Sequence, residues 1–117
     1  MAAPARAVLA RAMSPQPREA VKVTITPKPG FPPVVYPESA YVSLSRDQEI
    51  NWECTGEVKE CRVVFKGASP FEERVFGGRS IHSGRPRPEV HPDYSIRYRY
   101  SVTVDGDTID PEVIVGQ

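Results

Sequence analysis

Thirteen prolines and eight glycines are scattered along this chain of 117 residues. Proline lacks an amide donor and fixes φ, and glycine loses the most backbone freedom on ordering, so this density argues against long helices. It favours short strands joined by turns. The segments between the breakers alternate with period two, the signature of half-buried strands. Val21, Val23 and Ile25 alternate with Lys22, Thr24 and Thr26, and Ala40, Val42 and Leu44 with Tyr41, Ser43 and Ser45. Ile50 and Trp52 share a face, as do Cys61, Val63 and Phe65, with Val64 opposite. Apolar residues on both faces of 61–65 mark an interior strand.

Pro27, Pro29, Gly30, Pro32 and Pro33 are expected to form an irregular connection, and residues 74–76 a short edge strand. Residues 77–93 contain Gly77, Gly78, Gly84, Pro86, Pro88 and Pro92 and are expected to form one long loop. The clearest alternation follows, with Tyr94, Ile96, Tyr98, Tyr100, Val102 and Val104 on one face and Ser95, Arg97, Arg99, Ser101 and Thr103 on the other. Asp105-Gly106 supplies a two-residue hairpin turn. Thr108-Ile109 begins the return, Asp110-Pro111 interrupts it, and Val113, Ile114 and Val115 close the sheet. The alternating apolar faces would be wet in one sheet, and each buried Val or Ile is worth roughly 1.5–3 kcal/mol. The expected fold is therefore all-β, a two-sheet Greek-key sandwich of about seven strands, cupredoxin-like or immunoglobulin-like. It occupies residues 20–117, after a disordered tail over 1–19.

Charge narrows the partners. Lys plus Arg and Asp plus Glu are both 15, so no net field draws the chain to nucleic acid or an anionic membrane. No apolar run approaches the ~20 residues of a membrane-spanning helix. The tail holds Arg6, Arg11 and Arg18 against Glu19. Its arginines interrupt the apolar stretch that a secretory signal needs, and its composition has some likeness to an organelle transit peptide. A cytoplasmic location is expected. Cys54 and Cys61 are read as structural thiols, with a disulfide or a metal site as alternatives.

Ile50-Asn51-Trp52 followed by Cys61-Arg62-Val63-Val64-Phe65 resembles a strand pair of the small cupredoxins. There an apolar strand ending in Asn precedes a His-x-Val-x-Phe strand, whose histidine is the first copper ligand; Cys61 stands at that position here. The segment from Tyr98-Arg99-Tyr100 to Val113-Ile114-Val115 resembles the last cupredoxin hairpin, which delivers a cysteine, a histidine and a methionine. Ser101, Val104 and Ile109 fall at the matching places, and residues 92–117 contain no Cys, His or Met. The resemblance covers roughly residues 20–117 and implies the fold without its copper set, because a blue-copper site needs two imidazoles and a thiolate. No cofactor is expected.

Arg79, Arg85 and Arg87 share the 77–93 loop with the only histidines, His82 and His91. Guanidinium groups bind carboxylates and phosphates bidentately, and the loop glycines let backbone amides face an anion. These five residues are the expected partner- or anion-binding site. The expected function is a non-enzymatic interaction module for another protein or an anionic ligand. The alternative is a divergent copper- or zinc-binding protein using Cys61, His82 and His91. Arg97 and Arg99 lie opposite the tyrosines and cannot form a stacking platform with them. Trp52 is expected in the core. Asp105, Asp107 and Asp110 fit turn chemistry rather than a calcium loop, and no triad or phosphate loop stands out.

Overall fold

The computed structural model describes residues 19–57 and 60–117. The expected tail lies outside them except for Glu19, whose carbonyl accepts from Glu49 N at 3.2 Å. The described residues are all-β. The strands are β1 (Ala20–Lys28), β2 (Phe31–Tyr36), β3 (Ser39–Ser43), β4 (Glu49–Cys54), β5 (Cys61–Phe65), β6 (Val75–Gly78), β7 (Ser80–His82), β8 (Tyr98–Val104), β9 (Asp107–Ile109) and β10 (Glu112–Gly116). Two open sheets result. One has the order β2-β1-β4-β7; the other has β3-β10-β8-β5-β6, with β9 also paired to β8. Both mix directions, since β1 runs parallel to β4 and β3 parallel to β10. The arrangement is consistent with a β-sandwich.

The alternation read from the sequence places the core. Val23, Ile25, Ile50 and Trp52 from the first sheet meet Val63, Phe65, Tyr100, Val102, Val113 and Val115 from the second. Trp52 is fully buried, with ring centroids of Tyr100 at 5.6 Å, Phe76 at 5.3 Å and Phe65 and Phe71 each at 6.4 Å. Its Nε1–H donates to the Tyr100 hydroxyl at 3.1 Å, which satisfies the one polar atom that burial of an indole would otherwise strand. Burial pushes the Tyr100 phenol well above its ordinary range.

Four expectations need correction. There are ten strands rather than about seven, in part because two strands lie in segments rich in proline or glycine. The first is β2: residues 27–33 are not an irregular connection, since β1 continues to Lys28, turns at Pro29-Gly30 and returns as β2. Pro32 and Pro33 are tolerated there because β2 is an edge strand, which needs ladder bonds on one side only. The 77–93 loop likewise contains β7, which pairs with β4. The third correction concerns β8, which begins at Tyr98 rather than Tyr94. Asp93 Oδ1 accepts from Ser95 N at 2.9 Å and Ser95 Oγ at 2.6 Å, and Ile96 N donates to Asp93 O at 3.1 Å. That Asx turn leaves Tyr94 and Ile96 exposed although they continue the pattern.

The fourth correction is covalent. Cys54 and Cys61 are not thiols; they form a disulfide with a Cα–Cα distance of 6.1 Å. It joins the end of β4 in one sheet to the start of β5 in the other, and so staples the two layers where the chain crosses between them.

Candidate functional site

The five loop residues expected to form one site are held in different places. β7 runs antiparallel to β4, so the chain enters β7 at the Cys54 end of β4 and leaves it at the Glu49 end. Arg79, at the Cys54 end, donates from Nη2 to Gly56 O at 2.7 Å. Arg85, at the other end, pairs through Nε with Asp47 Oδ2 at 3.4 Å. Arg87 turns back on the chain, with Nε and Nη2 donating to Ser69 O at 2.9 and 2.7 Å and Nη1 to Glu89 Oε1 at 2.6 Å. A backbone hydrogen bond, then Arg87, holds the Glu89 carboxyl below its ordinary range. His82 lies between these ends, its Nδ1 2.7 Å from Asn51 Oδ1 and 3.8 Å from Glu49 Oε1. His91 is exposed on the far arm of the loop. Each arginine has an internal partner, and the five residues do not converge.

The positions matched to copper ligands are equally dispersed in role. Cys61 is bonded to Cys54, so its sulfur is not available as a thiolate in this state. Ser101 Oγ donates to Asp110 Oδ1 at 3.0 Å, Val104 is buried, and Ile109 is half-buried against the core. Among the described residues no three His, Cys, Asp or Glu side chains gather as a metal site.

What the structure builds instead is a cleft of about 640 Å³ at one end of the two sheets. The tip of the β1–β2 hairpin forms one wall with Pro27, Lys28, Pro29, Phe31 and Pro33. Thr55, Gly56 and Glu57, just after β4, form a second; Val104, Asp105 and Asp107, at the β8–β9 turn, form a third. Local chemistry sets each wall. Gly30 takes φ 80° at the hairpin tip, and Asp105 and Gly106 take φ 49° and 85°, as a primed two-residue turn requires. Thr55 N and Oγ1 both donate to Ile25 O, at 2.9 and 3.2 Å. Arg79 braces Gly56, and the disulfide anchors the residue before Thr55. The cleft is thus bounded by braced backbone, with an apolar lining of prolines, Phe31 and Val104 and the charged residues Lys28, Glu57, Asp105 and Asp107.

Sequence reasoning missed this cleft. Its signal was the Pro-Lys-Pro-Gly-Phe-Pro-Pro run, whose apolar residues had no assigned face. Apolar side chains continue outside the cleft on β2, where Val34 and Tyr36 are exposed along with Phe31 at the tip. No protein-family model, no curated protein and no solved structure matches the chain.

Proposed function

We propose that the protein is a non-enzymatic interaction module that receives a segment of another protein in the cleft between the β1–β2 hairpin and the β8–β9 turn. The observation that carries this reading is the cleft itself. Its volume of about 640 Å³ falls in the range of binding pockets, its lining is largely apolar, and its walls are braced before any ligand arrives. Phe31 is 67% exposed at its mouth, and an exposed aromatic on a fixed strand is the kind of anchor that dominates binding energy. A binding rather than a catalytic role is favoured because the carboxyls displaced from their ordinary range, Glu89, Asp93 and Asp110, serve turns and strand joints outside the cleft.

The cupredoxin-like Greek-key reading belongs to the same proposal. It is supported by the sequence likeness of the β4–β5 and β8–β10 segments, and its copper-free character by the ligand types those segments lack. The Cys54–Cys61 disulfide supports an oxidising compartment over the cytoplasm expected from the sequence.

A random peptide library selected on the full chain tests the binding role. Selected peptides should lose at least tenfold in affinity on Phe31→Ser, while Trp52 emission shows the variant folded. Failure to select any binder, or binders indifferent to Phe31→Ser, would overturn the proposal.

A further inference from the structure

The cleft also carries information about the sign of its occupant. Of the four charged residues lining it, Glu57, Asp105 and Asp107 are acidic and only Lys28 is basic. Within the described residues, none of these four side chains takes part in a hydrogen bond or ion pair. The contrast with the neighbouring joint is direct: Asp110, three positions after Asp107, is held by Lys66 at 2.8 Å and by Ser101 at 3.0 Å. These carboxylates are uncommitted, and they line the cleft together with Pro27, Pro29, Phe31, Pro33 and Val104.

Resting on the binding-module reading, we propose that the occupant is a basic peptide segment of a partner protein, with Lys or Arg side chains interleaved with apolar ones. Its apolar residues lie against the prolines and Phe31. Its cations face Glu57, Asp105 and Asp107, where guanidinium groups can pair with carboxylates in the planar, forked geometry that suits them. An anionic segment would set its charges against three carboxylates and only one lysine, and the same field disfavours it. Phosphate or an acidic peptide is thus disfavoured at this cleft, in contrast to the anion expected at the arginine-bearing loop.

The test titrates three synthetic hexapeptides into the ¹⁵N-labelled full chain. They are Arg-Pro-Leu-Arg-Pro-Leu and the same sequence with Glu or with Gln at both Arg positions, all blocked at their ends. The arginine peptide should shift amides of residues 28–31 and 105–107 saturably, and binding should weaken as salt rises. Asp105→Asn with Asp107→Asn should weaken it about tenfold; asparagine tolerates the positive φ at 105, so the turn survives. Equal or tighter binding of the glutamate peptide would overturn the inferred charge sign. So would arginine and glutamine peptides that bind alike and ignore the double variant. In either case library-selected cleft binders would leave the interaction module standing, whereas no binder of any kind would remove both readings. The test also separates a partner from the chain's own residues 1–18, which carry Arg6, Arg11 and Arg18 without an acid. If Arg6→Glu with Arg11→Glu shifts the cleft amides of the full chain in the absence of peptide, the occupant is the chain's own segment and the partner proposal is overturned.

Discussion

Trp52 and Tyr100 show how single residues fix this structure. Each ring is fully buried, each comes from a different sheet, and the Tyr100 hydroxyl oxygen accepts the one polar hydrogen of the Trp52 ring. An indole N–H sealed from water without an acceptor costs its desolvation, about 1–3 kcal/mol, which exceeds the net worth of an ordinary hydrogen bond. The Tyr100 hydroxyl therefore matters more for what it satisfies than for its own attraction. Tyr100→Phe keeps the ring, its volume and its edge contacts with Trp52 and Phe65. It should nonetheless destabilise the fold by about 1–3 kcal/mol, read as a lower urea midpoint with an unchanged slope. No change in midpoint would mean that the indole N–H finds another acceptor. The sequence placed both rings in the core through their period-two neighbours, but it could not pair them, because a contact between sheets leaves no trace in local alternation.

At the scale of elements, the joint between β9 and β10 illustrates how exposed charges tie strands together. Asp110 accepts from Lys66, which follows β5, and from Ser101 on β8, so one carboxylate spans three neighbouring segments. The Lys66 hydrogen bond is the main cause that holds the Asp110 carboxyl below its ordinary value of 3.8. A depressed folded-state pKa gives stability that is present above the unfolded value and fades as pH falls through the folded one. Both partners are well exposed, so that contribution is small. A carboxyl ¹³C titration should put the Asp110 midpoint below 3.8, and Lys66→Ala should move it upward. A midpoint that ignores Lys66→Ala would assign the shift to Ser101 instead. This joint was legible, because Asp110-Pro111 announced a break between two apolar runs. The strand β2 was not. Alternation is a sound guide when both neighbours of a strand are other strands, but an edge strand accepts prolines that scramble it. The opposite failure occurs at Tyr94 and Ile96, where the pattern continues through a turn that Asp93 caps. The cleft was hidden for a further reason. Its walls come from residues 26–33, 55–57 and 104–107, which become neighbours only once two sheets are stacked and stapled.

For the molecule as a whole, the decisive connection is the disulfide between those sheets. The only residues between Cys54 and Cys61 are the six of the connection from one layer to the other, so the bond fixes where the chain crosses. Closing so short a loop removes little unfolded-state entropy, and the expected stabilisation is about 2–3 kcal/mol, toward the low end for native disulfides. The bond's second effect is local. Cys54 directly precedes Thr55, Gly56 and Glu57, so the wall of the cleft is anchored on one side by sulfur and on the other by Arg79. Core packing should keep the two sheets together after reduction, since Val23, Ile25, Trp52, Phe65 and Tyr100 do not depend on the bond. The wall depends on it directly. Reduction and alkylation should therefore lower the melting temperature by roughly 10 °C, in line with about 2–3 kcal/mol for a domain of this size. Amide exchange should rise most at residues 55–57, and less at the Thr24 and Trp52 ladder positions. Protein isolated with thiols trapped at lysis should carry the Cys54–Cys61 bond intact by mass spectrometry. An unchanged melting temperature after full reduction would show that the core alone holds the crossing. In that case the role of the bond would be confined to shaping the cleft.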